Sequence, residues 1–276
     1  MPAATTLMAT LTGAAVGGTL ALTGAGGGIL AVPLLVFMLA MDVAAAAPIG
    51  LLAVGSAAAL GTVIGLRAGR VRYRAVLMMG LGAVVSVPAG QQLAQVVPRQ
   101  ALTAAFACVL IGVARKMWGS SKRGGAAPAS DRASAVPCVL NPVTGRLIWT
   151  PRCARALFLT GLTAGFMTGA LGVGGGFVIV PALTRISNLG AATIANTSLG
   201  TIAIASALGV TSAVTHGGMD WPIALPFALG SLVALAVGLR FAKRCAGITL
   251  QRSFALLCVC TATGLLLRDL HPFLQP

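Results

Sequence analysis

The chain has 276 residues, of which 57% are hydrophobic and only 8% are charged, and its mean hydropathy is +0.96. This composition excludes an ordinary water-soluble domain, because apolar runs long enough to span a bilayer, about 20 residues each, fill most of the length. The net charge of +15 arises from 19 Lys and Arg against 4 Asp and Glu. Because these cations lie between the apolar runs, they indicate membrane loops and not a nucleic-acid surface.

The first half of the chain contains four apolar runs, at about 5–41, 43–66, 75–97 and 100–117. The first run is too long for a single span and is interrupted by the glycine-rich stretch GAGGGILAVP. No Lys or Arg precedes this run, so the basic start of a cleaved signal peptide is missing. Alternating ten-residue strands are also missing, and the runs therefore predict a polytopic all-α membrane protein and not a membrane barrel.

A second glycine-rich stretch, GVGGGFVIVP, follows the first at an offset of 148 residues. The same offset pairs Pro33 with Pro181 and continues without a gap across about a hundred residues, which is the signature of an internal repeat. Between the halves lies a basic, proline-containing segment with no helical period, typical of a loop. We therefore predict a membrane repeat at 1–118, a linker at 119–152, and a second membrane repeat at 153–276.

The basic loops change places between the two repeats. Residues 67–74, RAGRVRYR, carry four arginines, whereas their counterpart THGGMDWP carries none and contains Asp220. One loop later the first repeat has only Arg99, whereas the region around Arg240 is strongly basic. Because basic loops stay in the cytoplasm, the pattern predicts two inverted-topology repeats, each a glycine-broken re-entrant hairpin plus about three transmembrane helices. Residues 67–74, the linker and the turn with Arg185 would face the cytoplasm, and Asp42, Arg99 and Asp220 the outside. The repeats would be parallel if the first run crossed the membrane once.

The glycine stretches predict broken helices. Four glycines in five positions would destabilise a continuous helix by about 3–4 kcal/mol. The alternative role, close packing between helices, suits Gly13 and Gly17 but does not require four glycines together. A half-helix beginning near Ile29 or Phe177 would direct unpaired amides and the positive end of its dipole into the membrane, where an anion could bind. Inverted repeats bring both half-helices to the midplane. The predicted anion site comprises Gly24, Gly26, Gly27 and Gly28 in the first repeat and Gly172, Gly174, Gly175 and Gly176 in the second.

Three polar residues in the next span, Asn196, Thr197 and Ser198, are predicted to donate hydrogen bonds to the same anion. The aligned residues of the first repeat, 48–50, are Pro-Ile-Gly, so the two half-sites are unequal. The alternative is that these side chains bond to the backbone of their own helix, as Ser and Thr often do.

The sequence offers little for catalysis or metal binding. There is no HExxH motif, and His216 and His271 lie at loop ends, so an intramembrane enzyme is not expected. The six cysteines form no CxxC pair, and no metal or other cofactor is expected. Proton-coupled carriers usually keep a carboxylate inside the membrane, but the acids of this chain lie in loops or at the ends of spans. Coupling to Na⁺ stays an alternative, because backbone carbonyls at the helix break could bind that ion. These acids are Asp42, Asp131, Asp220 and Asp269.

Both glycine stretches resemble the GxGGGxxxVPxL pattern of the TauE/SafE family of membrane permeases, the sulfite exporter family. The pattern stands at Gly24–Leu35 and Gly172–Leu183, and ANTSL at 195–199 is similar to the A-x-x-T-S-L of the family, whereas the first repeat reads APIGL. The resemblance implies a multi-pass transporter of small sulfur-containing anions, such as sulfite, thiosulfate or organosulfonates, in the inner (plasma) membrane.

The expected partners are therefore the small anion and the lipid bilayer, with no nucleic acid; a homo-oligomer is left open. A potential that is negative in the cytoplasm favours anion export by about 2.3 kcal/mol per charge and 100 mV. Export driven by this potential is our expectation, with a passive anion channel or cation-coupled uptake as the alternatives.

Overall fold

The computed structural model describes residues 3–23, 27–122, 137–139, 147–215, 217–245 and 263. Within these ranges the chain forms helices joined by short connections, and its β-structure is limited to isolated bridges. A 3₁₀ turn at Gly27–Leu30 precedes the second helix. The helices are α1 Ala3–Thr23, α2 Ala31–Met38, α3 Val43–Arg67, α4 Tyr73–Val96, α5 Arg99–Lys122, α6 Pro151–Leu171, α7 Gly176–Ile186, α8 Ala191–Thr215 and α9 Trp221–Cys245.

Among the described residues, five helices are long and apolar enough to cross a membrane: α3, α4, α6, α8 and the Trp221–Arg240 part of α9. The expected polytopic helical architecture is therefore confirmed. The run predicted as a span at 100–117 lies in α5, and its counterpart in the second repeat lies outside the described residues. The predicted second hairpin includes α6, which at 21 residues is itself long enough to cross.

The helix boundaries of the two halves repeat at the offset seen in the sequence. Helices α1 and α6 begin and end 148 residues apart, as do α3 and α8, and α4 and α9 begin at the same offset. The repeated pattern of apolar runs and loop residues therefore produces the same local structure twice.

Glycines let four helices pack in pairs with their backbones in contact. A β-carbon on Gly13 would overlap the backbone of Phe227, so α1 meets α9 without intervening side chains; the equivalent contact in the other pair joins Gly161 of α6 to Met79 of α4. One turn later in α1, Gly17 meets Ser231, one turn later in α9, and Gly165 of α6 likewise meets Ala83 of α4. Helix α1 therefore runs parallel to α9, and α6 runs parallel to α4. Helices in lipid associate through such close contacts, because the hydrophobic effect contributes little to their association there.

The central helices α3 and α8 run antiparallel. Gly65, near the end of α3, contacts Asn196 near the start of α8, whereas Leu51 early in α3 contacts Gly209 late in α8. Since α8 is the counterpart of α3 in the second half, these two equivalent helices run in opposite directions.

These directions collect the charged connections at two ends of the helix bundle. One end, which we call the arginine end, carries the α3–α4 turn with residues 67–74, the start of α6 with Arg152 and Arg155, and Arg185 at the end of α7. The opposite end, which we call the aspartate end, carries Asp42 and Asp220, together with Arg99 at the start of α5.

Large apolar side chains cover the outward faces of α4 and α9. Leu77 and Leu81 of α4 are 59% and 57% exposed, and Leu229 and Val233 of α9 are 59% and 63% exposed. A contiguous apolar exterior of this kind is unfavourable in water and suits contact with lipid.

Candidate functional site

The helix break at the second glycine stretch requires glycine. Helix α6 ends at Leu171 and is capped by Gly172, with φ 69°, and the next glycines, Gly174 and Gly175, have φ 67° and 62°. Left-handed values of this kind favour glycine over residues with a β-carbon. Helix α7 then begins at Gly176, one residue before the predicted position near Phe177.

The first glycine stretch also separates two helices. Helix α1 ends at Thr23 and the 3₁₀ turn begins at Gly27, whereas Gly24 and Gly26 lie outside the described residues. Gly28 lies against the other glycine stretch, because a β-carbon placed on it would be 3.4 Å from the carbonyl oxygen of Val173. The two predicted half-sites are therefore in contact.

This meeting point, which we call the glycine crossing, comprises Gly28, Val173 and Gly174 between α3 and α8. A β-carbon on Gly174 would lie 3.1 Å from Cγ1 of Val54 and 3.4 Å from Cγ2 of Ile202. Val54 and Ile202 occupy equivalent positions near the middles of their helices. The glycine crossing therefore lies deep in the bundle, with all three of its own residues buried.

A hydroxyl group without a partner lies beside the glycine crossing. Ser206 of α8 is 0% exposed, and its Oγ forms no hydrogen bond. This Oγ is 3.7 Å from the position that a β-carbon would take on Gly174. Leaving a buried hydroxyl unpaired costs about 1–3 kcal/mol, and such groups in native proteins call for a functional explanation.

Ser206 could not be predicted as a site residue from the sequence. Its counterpart in the first repeat is an alanine, Ala58, and a single serine inside an apolar span does not by itself indicate a binding site. The one signal available was position: Ser206 lies eight residues after Ser198, about two helical turns along α8 and on the same side. Only the packing of α8 against Gly174 identifies it.

The start of α7 adds a positive electrostatic contribution at the same place. The amides of Gly176 and Phe177 have no partner further back in α7, because the first turn of any helix lacks acceptors for its N–H groups. The aligned peptide dipoles make this end positive. The nearby Thr168 is fully buried, and its hydroxyl donates to the carbonyl of Ala164 at 2.8 Å.

The polar residues predicted from the sequence lie nearer the arginine end. Asn196 Nδ2 donates to the carbonyl of Ala192 at 2.7 Å, and Ser198 Oγ donates to the carbonyl of Ala195 at 2.8 Å. Thr197 Oγ1 accepts the backbone N–H of residue 72 at 3.2 Å. The structure therefore does not bring these three to the glycine crossing, and their role in anion binding stays a prediction.

A disulfide at the arginine end was not anticipated. It joins Cys138 of the linker to Cys153 in the first turn of α6, and the backbone N–H of Cys138 donates to the carbonyl of Ile186 at 3.0 Å. The spacing of the cysteines gave no signal for this pair. Among the described residues, no group of three His, Cys, Asp or Glu side chains forms a potential metal site.

Long apolar helices around a buried, electropositive break define a polytopic membrane protein of the transporter class. A family model described as "Sulfite exporter TauE/SafE" matches residues 9–265, and the chain belongs to this family of membrane transporters. It is similar to two proteins named "Probable membrane transporter protein" from Xylella fastidiosa, strains 9a5c and Temecula1. Each is 27% identical over 264 residues, covering 93% of both chains. No solved structure matches.

Proposed function

We propose that this transporter carries a small sulfur-containing anion, such as sulfite, thiosulfate or an organosulfonate, and binds it at the glycine crossing. The observation that carries the proposal is the unpaired hydroxyl of Ser206 beside Gly174 and the N-terminus of α7. A neutral donor and a helix dipole suit an anion. Because atoms pack closely around Gly28 and Gly174, the two glycine stretches would have to separate to admit it. The sulfur chemistry rests on membership of the family.

The two halves act as inverted repeats around this site in our proposal. Support comes from the antiparallel packing of the equivalent helices α3 and α8. In each parallel pair, α1 with α9 and α4 with α6, one helix belongs to each half. Alternating access would then arise from movement of these mixed pairs around a central anion, as in other inverted-repeat transporters.

We place the arginine end in the cytoplasm of a cell with an inner (plasma) membrane, following the positive-inside rule. The Cys138–Cys153 disulfide favours the opposite assignment, because disulfides are rare in the reducing cytosol. We give the charges greater weight, since arginines occupy three connections at one end, whereas the other end carries Asp42 and Asp220 and the single Arg99. The two cysteines would then stand as neighbouring thiols in the cell.

The direction we propose is export, driven mainly by the membrane potential. A dianion leaving a negative cytoplasm gains about 4.6 kcal/mol per 100 mV. The described acids Asp42 and Asp220 lie at helix ends, so neither is positioned to carry a coupling proton through the middle of the bundle.

The test is efflux of sulfite from proteoliposomes under a potential set by K⁺ and valinomycin. Export should accelerate as the compartment facing the arginine end is made more negative, and saturable counterflow should distinguish a carrier from a channel. Flux that ignores the potential and follows an imposed Na⁺ or proton gradient would replace this account with coupled transport.

A further inference from the structure

A cavity lies at the arginine end, away from the glycine crossing. Its volume is about 150 Å³, which is enough for a small ion. It is enclosed by the α3–α4 turn on one side and by the linker just before α6 on the other. The lining residues are Val71, Arg72, Tyr73, Arg74, Ala75, Leu147 and Trp149; we call this the Arg72 pocket.

Arg72 has an unused donor in this pocket. Its Nε is buried and forms no hydrogen bond, whereas its backbone N–H is held by the hydroxyl of Thr197 at 3.2 Å. A charged N–H group removed from water without an acceptor is strongly unfavourable. An anion in the pocket would supply the acceptor that the described protein groups do not.

The surroundings leave the positive charge of the pocket uncompensated. Arg74 adds a second guanidinium, whose carbon lies 6.0 Å from the centre of the Tyr73 ring. No acidic residue lines the pocket among the described residues, and the described acids Asp42 and Asp220 lie at the aspartate end. Trp149 contributes an apolar wall, which excludes water and strengthens electrostatic attraction.

We propose that the Arg72 pocket is a separate binding site for a small oxyanion, which it captures from the compartment facing the arginine end. Arginine suits this ligand class because its planar guanidinium forms paired hydrogen bonds to oxyanions. Through Thr197 the pocket is attached to α8, and Ile202 at the glycine crossing lies five residues, about 7.5 Å, further along that helix. The pocket is therefore joined to a helix that also lines the glycine crossing.

The test uses Trp149 as a reporter in protein purified in a non-ionic detergent. Replacing the other two tryptophans, Trp118→Phe and Trp221→Phe, leaves Trp149 as the single tryptophan fluorophore. Sodium sulfate is titrated against sodium chloride at constant ionic strength. We expect a saturable change in Trp149 emission, weakened about tenfold or more by Arg72→Gln, as loss of a charge-assisted hydrogen bond implies.

Arg70→Gln is the matched control, because Arg70 lies in the same turn, is exposed and does not line the pocket. It should keep the affinity of the parent protein. Equal weakening by Arg70→Gln and Arg72→Gln would reduce the effect to general surface charge and overturn the proposal. Equilibrium binding of radiolabelled sulfate to the same variants detects binding that leaves the emission unchanged; no binding by either method also overturns it.

Two further measurements distinguish the Arg72 pocket from the glycine crossing and from a lipid site. Ser206→Ala should leave the Trp149 titration unchanged, and loss of the signal in that variant would mean that there is only one site. A response to anionic lipid vesicles without any response to sulfate would identify a lipid headgroup site and refute capture of a free ion. Sulfate binding at the pocket together with no transport of sulfur anions would remove the proposed function and leave this proposal standing.

Discussion

Replacing Ser206 with alanine should change stability and affinity in opposite directions. Ser206 is fully buried and its hydroxyl has no partner, so the empty protein carries the cost of desolvating that group. Removing an unsatisfied buried hydroxyl relieves a penalty of about 1–3 kcal/mol. The Ser206→Ala variant should therefore be at least as resistant to thermal unfolding as the parent protein.

The affinity for the anion should fall in the same variant. A hydrogen bond to a charged ligand contributes about 1.5–3 kcal/mol, which corresponds to a factor of about 10–150 in the dissociation constant. We expect a loss in this range for sulfite, measured as the concentration at half-saturation of transport in proteoliposomes.

Ser231→Ala provides the control, because Ser231 is equally buried but its hydroxyl donates to the carbonyl of Ala53 at 3.0 Å. This variant should lose about 0.5–1.5 kcal/mol of stability and keep its affinity. Wild-type affinity in Ser206→Ala, or destabilisation equal to that of Ser231→Ala, would refute the reasoning. A substitution at Gly175 is less informative, since a β-carbon there would lie 2.6 Å from the carbonyl oxygen of Ala164 and disturb the fold itself.

Two further predictions concern packing and topology. Gly13→Ala should lower thermal stability because its β-carbon would overlap the backbone of α9. The control is Gly18→Ala in the same helix, which meets no atom within 4 Å and should be neutral or stabilising by up to about 1 kcal/mol. Equal effects of the two substitutions on unfolding in detergent would count against close packing of α1 and α9. In intact cells, Asp220→Cys should react with an impermeant maleimide added outside. Cys138 and Cys153 are fully buried, so these thiols should react only after the cells are opened and the protein is denatured. A Cys138–Cys153 disulfide in freshly quenched cells would reverse our orientation.

The repeated features of this protein could be predicted from the sequence because they arise from local rules. A cluster of glycines interrupts an α-helix, so the 3₁₀ turn at Gly27–Leu30 and the break after Leu171 agree with the sequence. The constant offset likewise predicted that α3 and α8 would be equivalent helices. The loops around Arg72 and Arg185 were assigned to one side from charge alone, and the helix directions bring them to one end of the bundle.

The features that depend on contacts between distant segments could not be predicted. Ser206 becomes notable only because Gly174 approaches it and leaves its hydroxyl unpaired. Asn196 and Ser198 are polar residues in an apolar span and were therefore predicted to bind the anion. Their side chains instead form hydrogen bonds to carbonyls of their own helix, and the sequence does not determine which of these two partners is used. The Arg72 pocket requires the linker to fold back over the α3–α4 turn, and no periodicity encodes that contact.

The central claim is that an oxyanion binds at the glycine crossing, and locating the ion tests it most directly. Selenite, the selenium analogue of sulfite, can be diffused into crystals of the protein and found by anomalous scattering. Our account predicts a selenium peak between the two glycine stretches, with a ligand oxygen within about 3.5 Å of the Oγ of Ser206. Selenium bound only elsewhere, with none at the glycine crossing at concentrations that saturate transport, would contradict it.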